Sequence, residues 1–453
     1  MFQDAYGSVA YRNRSATAAT TGPFLMPIPR PLEPEHPAAR VAAAAPPRRA
    51  AGPLAVALAG LVSLAVVMGI GRFAFTPLLP MMLHDGIVTL DQGGWLATVN
   101  YIGYFVGAAV CMFIRPDAAR MVRWGLVATV LLTLGMALPG GMPAWSLWRA
   151  AAGVVSAVAM VYTAAWCLQR LAELGRPELG GLIFCGPGVG IVVTGLGASG
   201  MVGAGWHADH GWLAFTALAV VLAAAVWRIF VAPAAVGAAA PPAGAADAEA
   251  AAGTARLDAQ TCALTLAYGL AGFGYIITAT FLPVIARQAL PGTVWADLFW
   301  PIFGAGVAVG ALLATRVGMA HDNRKLLALL YGMQALGVAI AVVLPSVPGF
   351  AASSLLAGLP FTALVAFAMR EARRLWGPQA PRLMGLMTAS YGLGQIAGPP
   401  LATALVARSG GFAGSLACAA AALALGALVF AWMRRAWPLP AAGTGLSPGA
   451  QVR

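Results

Sequence analysis

The chain has 453 residues, of which 60% are hydrophobic and only 9% are charged. Soluble domains carry roughly 25% charged residues, so this composition excludes a soluble globular protein and predicts an all-α polytopic membrane protein. The formal net charge of +12 would suggest a nucleic-acid partner in a soluble chain. Here the positions of the arginines, described below, account for that charge without nucleic acid.

The first 51 residues are rich in alanine, proline and arginine and show no apolar period. This composition predicts a disordered cytoplasmic arm. Its arginines and prolines leave no apolar stretch of the kind that a signal peptide needs. Met26 is an alternative start to Met1. If translation starts at Met26, the residues before it are not part of the protein.

Apolar runs of about 20 residues predict twelve membrane-spanning helices. Six of them form an N-terminal half, residues 52–231, at Leu54–Met82, Gly94–Ile114, Ala119–Leu138, Ala144–Leu171, Leu179–Val202 and Gly211–Val231. The other six form a C-terminal half, residues 259–437, at Gln260–Arg287, Val294–Arg316, Arg324–Leu344, Gly349–Trp376, Arg382–Ala407 and Gly411–Arg435. Residues 232–258, rich in alanine, proline and glycine, are predicted to be a cytoplasmic linker, and residues 438–453 a disordered tail.

Arginines concentrate at one side of the predicted topology. With the N-terminus in the cytoplasm, the opposite face receives only Arg287 and Arg408. Positive charge accumulates in cytoplasmic loops, so both termini are predicted to lie in the cytoplasm. We therefore expect a multi-pass protein of the bacterial inner membrane.

The first helix carries an arginine where hydrocarbon is expected. Arg72 lies in the stretch MGIGRFAFTPLLPMM, residues 68–82, directly after Gly69 and Gly71. A charge at this depth costs several kcal/mol unless it faces protein or a water-filled cavity. Pro77 and Pro80 remove backbone donors and predict a bend beyond it. The alternative interpretation is that Arg72 extends to a lipid headgroup.

The two halves repeat one another. Gly69–Arg72 recurs 203 residues later as Gly272–Tyr275, and Leu79–Pro80 as Leu282–Pro283. Both halves have the same inside-outside polarity, so they are predicted to be parallel repeats about an axis along the membrane normal.

From Leu54 to Trp437 the chain resembles the major facilitator superfamily, and more narrowly its YbfB/YjiJ branch. The resemblance lies in four segments: GIGRFAFTPLLP (69–80), GWLATVNYIGY (94–104), GFGYIITATFLP (272–283) and YGLGQIAGPP (391–400). Arg149 and Gly153 resemble the arginine motif of the fourth helix. Gly186, Pro187 and Gly190 resemble a fifth-helix motif associated with antiporters. The resemblance implies that helices 1, 4, 7 and 10 line a cavity between the halves.

Charged and polar residues in the spans give the candidate site. Arg72 and Arg149 have no acid in the neighbouring spans, and a guanidinium fork suits a carboxylate or phosphate. For Arg149 the alternative is a structural bond to helix-end carbonyls. The other candidate substrate contacts are aromatic and amide residues: Phe75, Asn100, Tyr104, Tyr162, Tyr275 and Gln395. Gly69, Gly71, Gly153, Gly186 and Gly190 are expected to serve helix packing, and Pro187 a bend.

Few groups are available for proton coupling or catalysis. Asp297 is the candidate proton carrier, although an N-terminal helical turn explains it equally well. Glu371, beside several arginines, is expected to form a solvated ion pair. The five histidines fall in loops or the arm and the five cysteines in apolar runs, so neither an enzyme site, a metal nor a cofactor is predicted.

These observations predict a secondary transporter of a small organic anion, acting as a monomer by alternating access. Proton-coupled export of neutral or drug-like molecules is the alternative, and a non-transporting membrane sensor a further one. Neither direction of transport nor substrate follows from the fold.

Overall fold

The computed structural model describes residues 51–114, 116–230, 258–318 and 321–439. In these residues, twelve helical segments follow one another. They are α1 (Pro53–His84), α2 (Leu90–Val110), α3 (Ala118–Ala137), α4 (Gly141–Glu173), α5 (Pro177–Gly203), α6 (Ala208–Val226), α7 (Ala259–Ala289), α8 (Val294–Arg316), α9 (Asn323–Val343), α10 (Val347–Trp376), α11 (Ala380–Ser409) and α12 (Ala413–Ala436). The predicted N-terminal arm, nearly all of the linker and most of the tail lie outside the described residues.

Ten of these helices are long and apolar enough to cross a membrane. The two others, α2 and α11, have 21 and 30 residues and are also long enough at about 1.5 Å per residue. They are less apolar because their sequences include Asp91, Asn100 and Gln395. The prediction of an all-α polytopic membrane protein is confirmed.

The backbone of α1 changes spacing before its prolines. Residues Ala65–Phe73 form a π-helix, which we call the π segment, and an α-helix resumes at Phe75. The change of helix type thus precedes Pro77 and Pro80, and the α-helix runs through both prolines, so the bend predicted beyond them stays a prediction. Pro77 lies in the first turn of that α-helix and has no amide hydrogen, so it cannot donate to the carbonyl of Phe73 four residues before it.

Two other helices that the apolar pattern predicts as continuous are interrupted. In α5, the short helix Gly180–Ile183 is followed by a turn, and the main helix begins at Gly186. In α10, one helix ends at Gly358 and the next begins at Pro360. Proline provides no donor to the preceding turn, so the hydrogen-bond ladder restarts there.

The two halves, α1–α6 and α7–α12, meet at equivalent positions of the repeat. The hydroxyl of Thr76 on α1 donates to the carbonyl of Ala279 on α7, 2.9 Å away, and these residues are 203 apart. That separation equals the repeat offset of the sequence. A contact between equivalent positions lies on the axis that relates the two halves, which supports their parallel pseudo-twofold arrangement.

Contacts between α2 and α11 also join the halves, towards the His84 end of α1. Thr403 donates to the carboxylate of Asp91 at 3.2 Å. A Cβ on Gly94 would lie 2.6 Å from Cγ2 of Thr403, so the helices touch closely there. A cavity of about 540 Å³ lies beside this contact, between Trp95 and Pro400.

Glycines bring α1 and α5 into backbone contact. A Cβ on Gly190 would lie 2.6 Å from Cα of Gly69, and one on Gly71 would lie 2.9 Å from Cγ2 of Thr129 on α3. Real Cβ atoms do not come so close to a neighbouring backbone, so these positions require small residues. The π segment is thereby enclosed by its neighbours.

At the end of α1, Asp85 ties this helix to α6. Its carboxylate accepts hydrogen bonds from the Ala208 amide at 2.7 Å and from Nδ1 of His207 at 3.1 Å. Burial raises the pKa of this carboxyl, but its hydrogen bonds to Ala208, His207 and His84 outweigh burial and hold the pKa below its ordinary value. The Asp85 carboxyl is therefore ionised at neutral pH.

Near the Trp376 end of α10, the side chain of Glu371 is buried, whereas the sequence predicted a solvated ion pair. Its side chain is 0% exposed and pairs with Arg374 at 2.6 Å. Asn323 donates to the same carboxylate at 3.4 Å, and Arg324 lies 3.9 Å away. The prediction is wrong because residues of α9, distant in sequence, cover this carboxylate and satisfy it.

Candidate functional site

Arg72 lies inside a group of aromatic rings. Only 4% of the residue is exposed. Its guanidinium carbon lies 3.9 Å from the ring centre of Tyr104, 5.2 Å from that of Tyr101 and 5.5 Å from that of Phe73. Rings at these distances stabilise a desolvated cation through their quadrupoles. Arg72 therefore faces protein, and the alternative of extension to a headgroup does not fit this position.

Two donors of Arg72 have no hydrogen-bond partner. They are Nε and Nη2, both buried. No aspartate or glutamate of the described residues pairs with this guanidinium within 4.0 Å. The hydrogens of Nε and Nη2 point in parallel from one edge of the planar group, which is the edge that binds a carboxylate with two bonds. Tyr104 lies over a face of the guanidinium, and we call the edge with Nε and Nη2, which has no hydrogen-bond partner among the described residues, the free edge.

Arg149 is engaged with the main chain of α1. Its Nη1 donates to the carbonyl of Gly71 at 3.4 Å and its Nη2 to the carbonyl of Arg72 at 3.3 Å. Its guanidinium carbon also lies 4.6 Å from the ring centre of Phe75. This geometry corresponds to the structural alternative rather than to the predicted substrate contact. Arg149 thereby ties α4 to the C-terminal part of the π segment, at Gly71 and Arg72.

Asn100 links α2 to α4 behind this arrangement. Its Nδ2 donates to the carbonyl of Arg149 at 2.9 Å, while its Oδ1 has no partner. The helices are close because a Cβ on Gly153 would lie 2.7 Å from the amide nitrogen of Tyr104. Asn100 therefore orders the backbone that carries Arg149, and one of its polar atoms remains unpaired.

The C-terminal half contributes a wall of stacked rings. Tyr275 on α7 stacks on Tyr391 on α11 with ring centres 5.7 Å apart, and it meets the edge of Phe361 on α10 at 4.9 Å. Tyr268 packs on Tyr391 at 4.8 Å. Gln395 donates through Nε2 to the hydroxyl of Tyr275, and its Oε1 is buried without a partner. Oε1 of Gln395, beside this wall, is therefore a buried polar atom without a hydrogen-bond partner among the described residues.

The rings of the two halves face one another. The hydroxyls of Tyr101 on α2 and Thr280 on α7 are 2.8 Å apart. Phe73 meets Trp300 on α8 with ring centres 6.1 Å apart. Trp300 stacks on Phe303 at 5.1 Å, and Phe303 meets Phe361 of the Tyr275 wall at 6.1 Å. A continuous series of ring contacts therefore joins the surroundings of Arg72 to the Tyr275 wall across the boundary.

Two predicted site residues lie elsewhere. Tyr162 donates to the carbonyl of Ile114, at 3.0 Å, beyond the end of α2. Asp297 pairs with Arg287 at 2.7 Å, in a 3₁₀ turn that precedes the regular part of α8. Asp297 therefore lies in the first helical turn of α8, where the alternative interpretation puts it, and Thr293 caps that turn.

The sequence pattern did not identify three residues of the site: Tyr101, Thr280 and Phe361. Tyr101 had a signal, because it lies three residues before Tyr104 and so shares its helix face. Thr280 and Phe361 had none, since their roles depend on which helices meet across the halves. Among the described residues, no group of three His, Cys, Asp or Glu side chains is arranged to hold a metal ion.

Comparisons with known proteins place this geometry in a family. A family model described as "Uncharacterised MFS-type transporter YbfB" matches residues 64–431. The uncharacterized MFS-type transporter YceJ of Bacillus subtilis (strain 168) is 29% identical over 143 residues, which is 31% of this chain and 34% of that protein. The chain thus matches about a third of that relative's length. The crystal structure of a D-xylose-proton symporter is similar with a TM-score of 0.65 at 15% identity, over 83% of this chain and 97% of that one, which shows the fold alone.

Proposed function

We propose that this chain, which belongs to the family of MFS-type transporters represented by YbfB, carries a small organic carboxylate by alternating access. The family and the fold make it a secondary transporter of a small molecule embedded in the membrane. The observation that carries the carboxylate assignment is the free edge of Arg72, with Nε and Nη2 buried and unpartnered.

The chemistry of this edge selects the ligand group. Buried donors without partners cost about 1–3 kcal/mol each, and more when they belong to a charged group. A carboxylate presents two oxygens in one plane, so it satisfies both donors and neutralises the charge at once. A neutral amide offers only one acceptor and leaves the charge uncompensated.

Arg149 acts in this proposal by positioning Arg72. It holds the carbonyls of Gly71 and Arg72, at 3.4 and 3.3 Å. With these bonds the π segment keeps one conformation, and the guanidinium of Arg72 keeps its orientation towards the boundary between the halves.

The boundary itself supports alternating access. The site draws Arg72 and Tyr104 from one half and Tyr275 and Gln395 from the other, so a bound molecule contacts both. Rocking of the halves about a site on their boundary is how parallel-repeat transporters expose it to each side in turn. We assign residues 52–231 and 259–437 to the two halves, joined by the segment 232–258.

The setting of the protein follows from its charge distribution. The arginine bias of the sequence supports a bacterial inner-membrane protein with both termini in the cytoplasm. One chain contains both halves of the site, so a monomer suffices for transport.

A ligand-stabilisation screen tests the proposal. The melting midpoint of purified protein in nanodiscs is measured with benzoate against benzamide and acetate against acetamide, at constant ionic strength. Binding to the folded state raises stability, by about 2.7 kcal/mol at a ligand concentration 100 times Kd. We expect at least one carboxylate to raise the midpoint and its amide to leave it unchanged. Equal stabilisation by acid and amide would favour a carrier of neutral molecules.

A further inference from the structure

We infer that the ligand is an aromatic carboxylate with a hydroxyl group at the end opposite its carboxylate. This rests on the proposed function, because it takes the carboxylate to bind the free edge of Arg72. It adds two requirements that the Arg72 edge alone does not impose: an aromatic ring, and a hydroxyl that reaches Gln395.

The requirement for a ring comes from the surfaces on both sides of the boundary. In the N-terminal half, the rings of Tyr101 and Tyr104 surround Arg72 at 5.2 and 3.9 Å. In the C-terminal half, Tyr275, Tyr391 and Phe361 form a stack with centres 4.9–5.7 Å apart. Flat rings pack best on other rings, in offset or edge-to-face contact, so a flexible aliphatic chain fills such a space poorly.

The requirement for a hydroxyl comes from Gln395. One atom of its amide contacts the Tyr275 hydroxyl, and the other is buried without a partner, in a residue that is only 2% exposed. A hydroxyl group both donates and accepts hydrogen bonds. It therefore satisfies the free atom of the amide whichever way the amide is oriented.

The two polar ends belong to different halves. Arg72 is on α1, and Gln395 is on α11 with its amide against the hydroxyl of Tyr275. Ring contacts through Trp300 and Phe303 connect Phe73, beside Arg72, to Phe361 and Tyr275. A molecule with a carboxylate at one end and a hydroxyl at the other bridges the halves through both. Its binding therefore favours the conformation in which the halves close on it.

Four probes separate these requirements in isothermal titration calorimetry on the purified full chain. They are benzoate, 4-hydroxybenzoate, cyclohexanecarboxylate and phenol. We expect benzoate to bind about tenfold tighter than cyclohexanecarboxylate, and 4-hydroxybenzoate about tenfold tighter than benzoate, which is what one additional satisfied polar group provides. Phenol, which lacks the carboxylate, is expected to bind weakest.

Gln395→Leu tests the hydroxyl contact. It should remove the preference for 4-hydroxybenzoate over benzoate. Gln334→Leu is the matched control, because Gln334 on α9 is equally buried, donates to the Ala357 carbonyl at 3.0 Å and has an unpartnered Oε1. It should keep the preference. Tyr275→Phe, which preserves the ring but removes the hydroxyl that holds Gln395, should weaken the preference in the same way.

The outcomes distinguish this inference from the proposal on which it rests. Cyclohexanecarboxylate binding as tightly as benzoate, or a preference for 4-hydroxybenzoate that survives both Gln395→Leu and Tyr275→Phe, overturns the aromatic-hydroxyl assignment while the carboxylate function stands. Binding of phenol as tight as that of 4-hydroxybenzoate, or no binding of any carboxylate, overturns both. Should Gln395→Leu not fold, Tyr275→Phe and the four wild-type affinities still decide.

Discussion

Arg149 donates a hydrogen bond to the main-chain carbonyl of Arg72, at 3.3 Å across α4 and α1. This carbonyl belongs to the π segment, residues Ala65–Phe73, and Arg149 also donates to the neighbouring carbonyl of Gly71 at 3.4 Å. One arginine thus holds the backbone that presents the other. The two arginines have different roles. Arg149 binds the main chain of α1, and Arg72 has an edge without a hydrogen-bond partner among the described residues.

This division predicts different effects for two substitutions at Arg149. Arg149→Met removes the hydrogen bonds that the carbonyls of Gly71 and Arg72 accept from this side chain, at about 1–3 kcal/mol each, and should lower benzoate affinity about tenfold or more. Arg149→Lys retains a donor and should lose less. Both are measured by calorimetry on folded, monodisperse protein. A lower melting midpoint with unchanged affinity in both variants would show that Arg149 stabilises the fold without positioning Arg72.

Close backbone contact predicts that Gly69 tolerates no side chain. A Cβ there would lie 2.8 Å from the carbonyl carbon of Gly190, so Gly69→Ala must separate α1 from α5. Overpacking of this kind costs about 1–3 kcal/mol. Gly200→Ala is the control, since a Cβ at Gly200 meets no atom within 4 Å. Thermal melting of both variants checks the expectation, which equal midpoints would contradict.

Movement of the halves predicts that a covalent link between α2 and α11 stops transport. Asp91 and Thr403 are in contact at 3.2 Å, and a disulfide between cysteines at these positions should block uptake of 4-hydroxybenzoate into proteoliposomes. Uptake is measured at about pH 8, where the carboxylate is ionised. Reduction of the disulfide should restore it.

A second cysteine pair serves as the control for that experiment. Ser63 and Thr163 have hydroxyls 3.1 Å apart and both lie in the N-terminal half. A link between them joins helices that move together, so uptake should persist. If the Asp91–Thr403 link formed and uptake continued, separation of α2 from α11 would not be part of the transport cycle.

The position of Asp297 predicts that it carries no coupling proton. Its carboxylate pairs with Arg287 at 2.7 Å and has no contact with Arg72. Asp297→Asn should therefore keep substrate affinity and the pH dependence of uptake, with only the small loss of stability typical of a partly exposed pair, about 0–1 kcal/mol. Uptake across a pH series in wild type and variant decides this. Loss of the wild-type pH profile in Asp297→Asn would restore the residue as the proton carrier.

The fold was accessible from the sequence because a membrane imposes long apolar runs. The same signal could not show the π segment, since an apolar pattern does not record whether carbonyls pair four or five residues ahead. It also did not show the break in α10, where a single proline, Pro360, restarts the helix within an unbroken apolar run.

The site was accessible only in part, for a different physical reason. Arg72 was conspicuous because charge is costly in hydrocarbon. Its surroundings depend on distant contacts: Tyr101 meets Thr280, 179 residues away, and Asn323 of α9 helps to satisfy Glu371. Such partners follow from the packing of helices, which the composition of each helix does not determine.

The most direct test of the central claim is the affinity of benzoate for wild type, Arg72→Lys and Arg72→Gln, measured by calorimetry. Arg123→Gln is the matched control, because Arg123 on α3 also lies over a ring, that of Trp227 at 5.5 Å, and has an unpartnered Nε. We predict that Arg72→Lys binds about tenfold more weakly, since it keeps the charge but loses the two-donor edge. Arg72→Gln should show no benzoate binding while remaining folded, and Arg123→Gln should match wild type. Benzoate affinity in folded Arg72→Gln equal to that of wild type would contradict the account.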